Sequence, residues 1–340
     1  MTEFKHYHSA HCESGAVSSL LTNNGFAISE AALFGISGAI FFVHFPFIKL
    51  FNIPMTSYRD APGSIVKRTP KLLDFKIKVL RYRNEDKAMK DLDIFLSRGK
   101  VLGLQTNAYW LSYFPESMRI HFNIHNIIVY GKDNDNYLIS DPVSDHVTVC
   151  PEKDLKKARF SKGVLAPKGK LYYIESNPVA NNLKKAFFTG ITHACKRMLY
   201  IPLPYCGVKG IKYLSRVMLK WPDKLKKEHL LQLYVGNVVR MQEEVGTGGA
   251  GFRFMYASFL QEASDLFKMD EFNIFSEEMT SIGDKWREFA ISGARFCKNK
   301  SDLNSLNELS AILEELSFLE KEFFSNLLKF VTKHKKSMCV

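Results

Sequence analysis

Residues 6–21, HYHSAHCESGAVSSLL, place a cysteine directly before a stretch of small and apolar residues, with three histidines crowded ahead of it. Ala16, Val17, Leu20 and Leu21 recur at helical spacing and NNG at 23–25 supplies a stop, so the spacing predicts a helix with Cys12 at or near its first turn. The unpaired N–H groups and the macrodipole of a helix start stabilise a thiolate, which suits nucleophilic sulfur chemistry. A buried cysteine also serves as a small core residue. Which of the two Cys12 is depends on whether the fold brings it a base.

Ten histidines are available, and one has a supporting pattern. HNIIVYG (125–131) and NYLISD (136–141) read as strands joined by KDND (132–135), a tight-turn sequence, so they predict a hairpin centred near Asp133. Residues equidistant from that centre face each other, which sets His125 opposite Asp141 with Cβ atoms about 5 Å apart. A carboxylate orienting an imidazole is the base half of a Cys-His-Asp triad. A one-residue bulge would break the match. His121, four residues earlier on the same face, competes for the role of base, although Pro142 should end the ladder before Asp145 could pair with it. His125 as a hydrogen-bonded strand residue and SDP as a plain turn remain open.

With 340 residues and 46% apolar content, the chain has material for about two domains of roughly 150 residues each. Six cysteines at long, irregular spacings, with no C-x-x-C pair, predict a reducing compartment and no structural metal. Residues 1–15 are polar and histidine-rich, so no secretory signal is expected and the mature protein should start near Met1 in the cytoplasm. Near the C-terminus, SMCV does not match a prenylation signal. AALFGISGAIFFVHFPFI (31–48) lacks Asp, Glu, Lys and Arg and touches the lower length limit of a membrane span. Gly35, Gly38, His44 and Pro46 argue against one, and the run reads as a buried helix followed by a substrate-lining segment. The net charge of +12 falls in clusters such as DLKKARFSKG (154–163) and WPDKLKKEH (221–229). No nucleic-acid motif accompanies them, so an acidic protein partner fits at least as well.

The composition shifts near IESNPVANN (174–182). Before it the chain reads as mixed α/β: a second helix from Ser29 and Glu30, a third over 84–99 capped by Asn84 and closed by Gly99, and further strands at 100–106 and 170–176. After it, stretches such as KKEHLLQLYVGNVVRMQEEV and LNELSAILEELSFLEKEFFSNLLKFV carry apolar residues at helical intervals. The expected class is α+β, with a first domain over 1–178 and a helical second domain over 179–340. GTGGAG (246–251) could cradle an anion on successive N–H groups. It has no G-K-[ST] ending and follows no strand, which favours an interhelix turn.

HCESGAVSSLLTNNGFAISEAALFGISGAIFF, HFNIHNIIVYGKDNDNYLISDP and GTGGAGFRFMYASFLQEA together resemble the butirosin biosynthesis protein H family. The resemblance spans nearly the whole chain and implies a papain-like cysteine fold, distantly similar to the leader-peptide-cleaving peptidase domains of bacteriocin exporters. It implies an acyltransferase of natural-product or lipid biosynthesis that moves an acyl group from an acyl carrier protein to a small amine. Cys12 would be the nucleophile, His125 the base and Asp141 the orienter. No bound cofactor is implied, since phosphopantetheine travels on the carrier protein. One position departs from the exporter peptidases, whose oxyanion-hole glutamine stands six residues before the cysteine, where this chain has His6. The second oxyanion donor is left among His11, Gln105 and Asn107. The basic surface would suit an acidic carrier protein, and a homodimer is left open. The helical domain should bring Arg253, Tyr256 or Glu262 to the route of the amine, with the GTGGAG loop and Arg253 as candidates for the phosphopantetheine phosphate. A hydrolase with the same three residues (amidase, peptidase or thioesterase) and a non-catalytic relative binding a carrier or a lipid surface are the rivals.

Overall fold

Local sequence signals decide most of the first half of the chain, and the elements begin where capping residues stand. The structure, a computed structural model, describes residues 4–50, 52–298 and 303–338. In chain order the first elements are α1 (Cys12–Asn23), α2 (Glu30–Ile36), β1 (Ile40–Leu50), β2 (Ile53–Arg59), α3 (Ser64–Leu73), β3 (Lys76–Leu80), α4 (Glu85–Ser97), β4 (Leu102–Thr106), β5 (His125–Asp133), β6 (Asn136–Ser140), β7 (Thr148–Pro151), α5 (Glu152–Phe160) and β8 (Leu171–Ser176). Helices follow: α6 (Leu183–Tyr200), α7 (Gly207–Met218), α8 (Trp221–Leu225), α9 (Glu228–Glu243), α10 (Arg253–Phe267), α11 (Glu271–Lys298), α12 (Leu303–Lys333) and α13 (Lys335–Met338). Two compact units result, one of Met1–Leu33 with Pro62–Asn182, the other of Phe34–Ala61 with Leu183–Val340. The continuous first domain expected over 1–178 is thus interrupted, because residues 34–61 pack within the helical unit.

That interruption comes from the apolar run at 31–48. The sequence predicts a buried helix followed by a substrate-lining segment there; the helix, α2, ends at Ile36, Gly38 turns the chain at φ +60°, and the segment that follows is strand β1 from Ile40. The run IFFVHFPFI is aromatic and β-branched, which favours a strand once two glycines have weakened the helix. Pro46 falls in the irregular stretch between Phe45 and Lys49 of the β1–β2 pairing, where its missing N–H costs no ladder bond.

In the first unit, six antiparallel strands lie in the order β3-β8-β4-β5-β6-β7. Leu102, Leu104, Ile127, Val129 and Ile139 bury one face with Met89 and Leu92 of α4 and Leu155 and Ala158 of α5. Helix α1 packs along β4, β5 and β8 on the face to which Asn126 points. Burial on both faces explains why β5 reads as a continuous apolar run at 127–129 rather than an alternating one.

The β5–β6 register differs from the expected one. Ile128 pairs with Ser140 and Val129 with Ile139, and past an irregularity Gly131 pairs with Leu138. The turn therefore centres on Asn134–Asp135, with Asn134 at φ +50°. Asp141 is level with Ile127 instead of His125, and the two polar residues are diagonal neighbours on one face, a separation that long side chains still bridge.

In the second unit a bidentate ion pair is fully enclosed. Arg253 Nε and Nη2 donate to Glu320 at 2.8 and 3.0 Å, Trp286 Nε1 donates to the same carboxylate at 2.7 Å, and both charged side chains are 0% exposed. Removing one partner strands the other charge in the core. Glu320→Ala should lower unfolding stability by about 3–5 kcal/mol, read as a shift of the urea midpoint at an unchanged slope.

Candidate active site

Cys12 is the first residue of α1, and the half-buried Glu30 and buried Glu13 fix the turn that carries it. The Glu30 carboxylate accepts the N–H groups of Ala10 and His11 at 2.8 and 3.1 Å. Burial raises its pKa while those two N–H groups pull it down. Glu13 reaches the other way, accepting N–H groups of Gly63, Ile65 and Val66 where α3 begins, so α1 and α3 are locked start to start. His11 caps α1, its Nδ1 accepting from Ser14 N–H at 3.3 Å. Gly15 supplies the remaining closeness: a Cβ there would lie 2.5 Å from Ser9 Cβ and 2.9 Å from Pro142 Cβ. Ser9 N–H donates to Pro142 O at 2.6 Å, so the cysteine helix is drawn onto the turn that follows Asp141.

His125 opens β5, and its Nε2–H donates to Asp141 Oδ2 at 2.7 Å. The buried Asp141 also accepts Tyr113 Oη–H on Oδ2 at 2.7 Å and Val143 N–H on Oδ1 at 3.1 Å. Three donors hold the carboxylate's position and leave His125 Nδ1 as the ring nitrogen not engaged by Asp141, with Cys12 near enough to help raise the imidazole's pKa. Phe114 packs beside the ring at 5.6 Å between centroids. Burial penalises the imidazolium, but the Asp141 charge and hydrogen bond, with Cys12, more than offset this and carry its pKa up to about 10. The phenol of Tyr113 is pushed well up by burial and by the same carboxylate.

The sulfur has a further neighbour that sequence reasoning missed. Asn126 Nδ2 lies 3.9 Å from Cys12 Sγ. Its amide is fixed at both ends: Nδ2 donates to Ile124 O at 3.0 Å, and Oδ1 accepts Tyr172 Oη–H at 3.0 Å. Gly103 makes room for that phenol, since a Cβ there would lie 2.3 Å from the Tyr172 ring. The sequence carried no signal for it, because strand alternation sets Asn126 on the face opposite His125. His6, which occupies the exporter peptidases' glutamine position, is turned elsewhere. Its Nδ1 meets Ser140 Oγ at 2.7 Å and its Nε2 meets Ser144 O at 2.9 Å, so it braces the segment around Asp141.

The other residues singled out in the sequence have partners of their own. His121 stacks on Tyr109 at 4.1 Å, leaving His125 as the imidazole that meets the sulfur. Gln105 Nε2 donates to Asn123 O and Leu165 O, and Asn107 Nδ2 donates to Asn123 Oδ1 and Ser161 Oγ. Both amides tie down loops, and His11 serves as the helix cap. Arg253, Tyr256 and Glu262 belong to the second unit. Arg253 faces Glu320, Gly251 O and the Trp286 ring and is 0% exposed, so its guanidinium is enclosed in the core of that unit, and Tyr256 is fully buried.

The GTGGAG loop connects α9 to α10. Gly249 N–H donates to Thr247 Oγ1, and Ala250 N–H donates to Glu243 Oε1 at 3.1 Å. A hydroxyl and a carboxylate of the chain itself thus take N–H groups that an anion would need, and the loop is an interhelix turn. Among the described residues no group of His, Cys, Asp and Glu is placed to hold a metal ion.

A nucleophile-type residue at the start of a helix, laid along an antiparallel sheet that carries an imidazole and its carboxylate partner, defines the class: a papain-like cysteine-enzyme fold. The chain belongs to the domain of unknown function family DUF4872, whose family model matches residues 153–327. Residues 11–142 match the N-terminal domain of butirosin biosynthesis protein H. Among solved structures, a C39-like peptidase from Bacillus anthracis aligns with 52% of this chain and 96% of its own, at 14% identity and a TM-score of 0.35. No curated protein matches the sequence.

Proposed function

We propose that the protein is a cysteine acyltransferase that takes an acyl group from a carrier-protein thioester and delivers it to an amine. The observation that carries this reading is the convergence of Cys12, His125 and Asp141 in the unit that matches the butirosin biosynthesis protein H domain. An imidazole held by a carboxylate beside the sulfur suits nucleophilic catalysis by the cysteine. The thiolate attacks the thioester carbonyl, the carrier's sulfur leaves with the proton from His125, and the acyl group stays on Cys12 as a new thioester. The amine then attacks that carbonyl, its proton passes to His125, and Cys12 departs as thiolate from the amide product.

Thioester exchange is close to balanced in free energy, and amide formation draws it forward. Negative charge on the tetrahedral oxygen needs two donors. The Cys12 N–H at the helix start is one, and we assign Asn126 Nδ2 as the other. The net charge of +12 suits an acidic carrier protein, on which phosphopantetheine would arrive.

Intact-protein mass spectrometry after incubation with a panel of acyl carrier thioesters tests the reading. A mass gain equal to the acyl group, absent from Cys12→Ala, is expected. A second measurement separates transferase from hydrolase: the acyl-enzyme is loaded and free acid is compared with amide as amine is added. Release of free acid alone with every amine offered would replace this reading with a thioesterase or amidase using the same residues.

A further inference from the structure

The apolar run at 31–48 is only partly absorbed by the core. Strand β1 is buried through its first residues and becomes exposed at its far end, where Phe47 is 64%, Ile48 41% and Leu50 37% exposed. The α6–α7 connection lies against the same strand. His44 N–H donates to Tyr205 O at 3.0 Å, Val43 bridges Cys206, and the Phe47 ring meets Tyr205 edge-on at 5.4 Å. Leu203 in that connection is itself 47% exposed. Three large side chains clustered at a hairpin end and a fourth in the connection beside it cost solvation in water.

The charges around this end are mostly positive. Lys49 is the sole ionic residue between Ile40 and Tyr58, and residues 196–227 hold nine Lys or Arg against one Asp. Helix α7 presents exposed Lys209, Lys212 and Arg216, with exposed Lys220 just past its end, on the side of Tyr213, whose ring contacts Tyr205 at 4.8 Å and His44 at 6.2 Å. Lys212 meets Glu314 at 3.6 Å. Trp221, at the start of α8, touches His44 as well, which brings Lys220 and Lys224 into the same neighbourhood.

We propose that this end of the second unit docks onto an anionic lipid surface, with Phe47, Ile48, Leu50 and Leu203 entering the interface and the α7 and α8 cations lying on the headgroups. Apolar insertion combined with basic residues is how a protein lies on a bilayer without spanning it. A second copy of this chain would bring the same positive charge to the contact. An acidic protein would need a pocket shaped for Phe47, whereas a fluid interface needs none.

The test uses the full-length protein and sedimentation with vesicles. Binding to phosphatidylcholine vesicles containing phosphatidylglycerol is expected, with little to phosphatidylcholine alone. It should fall about tenfold or more in Phe47→Ser/Ile48→Ser and, separately, in Lys220→Glu/Lys224→Glu, because both contributions are needed for stable attachment. Each substituted residue is exposed, so circular dichroism should show an unchanged fold. Several outcomes overturn the proposal: no sedimentation with anionic vesicles, equal binding to both vesicle types, or loss only in the charge variant, which would mean adsorption by charge alone. So would self-association of the wild type that Phe47→Ser/Ile48→Ser abolishes, which would assign the face to a second copy.

Discussion

In a Cys12→Ala variant, turnover of a carrier-bound thioester is expected to fall by about a million-fold, to what binding alone supplies, because nucleophile and base act as one unit. Asp141→Asn should be milder, about 10²- to 10⁴-fold, and should also change the pH dependence. His125 is buried, and its pKa of about 10 depends on the Asp141 charge 2.7 Å away. A raised value means that the folded protein holds a proton which the unfolded chain releases near 6.5. The stabilisation is complete below about 6.5 and is lost as pH rises through about 10. Without the carboxylate charge, burial dominates and the imidazolium gives up its proton at lower pH. The alkaline limb of kcat/KM should therefore move several units toward acid in Asp141→Asn. A pH–rate profile of the two proteins reads this directly, and coincident alkaline limbs would show that His125 is not the titrating group.

The same pairing bears on thiol labelling. Burial pushes the Cys150 thiol up to about 12 and raises those of Cys195, Cys206 and Cys297. Cys12, beside the imidazole, should take iodoacetamide near pH 6–7 faster than these four. Peptide mapping after brief labelling checks this. Cys339 lies outside the described residues and would be replaced beforehand.

What could be read from the sequence was what short-range patterning decides. The helix start at Cys12 followed from apolar spacing over ten residues and a stop at NNG, and the third helix from Asn84, whose Oδ1 accepts Lys87 N–H at 2.7 Å. The His125–Asp141 contact was anticipated through a register that proved wrong by two residues, because the turn centres on Asn134–Asp135 instead of Asp133 and the irregularity between Val129 and Gly131 takes back only one residue of that shift. The contact exists because a diagonal pair is still within reach. The strand at 40–50 was lost because an uncharged apolar run has no period that separates a buried helix from a buried strand. Tertiary facts were out of reach altogether. That Arg253 is enclosed with Glu320 depends on a partner 67 residues away. Gln105 and Asn107 looked available as amides, and only the fold shows that loops around Asn123, Ser161 and Leu165 occupy them.

Asn126 is the most consequential of those tertiary facts. Asn126→Ala removes the side-chain N–H nearest the sulfur and should lower acyl transfer by about 10²- to 10³-fold, with kcat falling while KM stays close to the wild-type value. Donors aimed at charge that develops only in the transition state leave substrate binding nearly unchanged, and that split distinguishes the role from simple disruption of the site. Asn126→Asp is informative in the other direction. It keeps the shape but sets a carboxylate beside the developing oxyanion, so transfer should fall at least as far as in the alanine variant. Tyr172→Phe removes the hydroxyl that donates to Asn126 Oδ1 at 3.0 Å. It should give a smaller loss in kcat, about tenfold, because the amide remains but is less firmly aimed. Cys12 alkylation should survive in Asn126→Ala, since attack on iodoacetamide develops no oxyanion. If acyl transfer and alkylation fall together, Asn126 acts by holding the sulfur, and the second oxyanion donor must be sought elsewhere in the first unit.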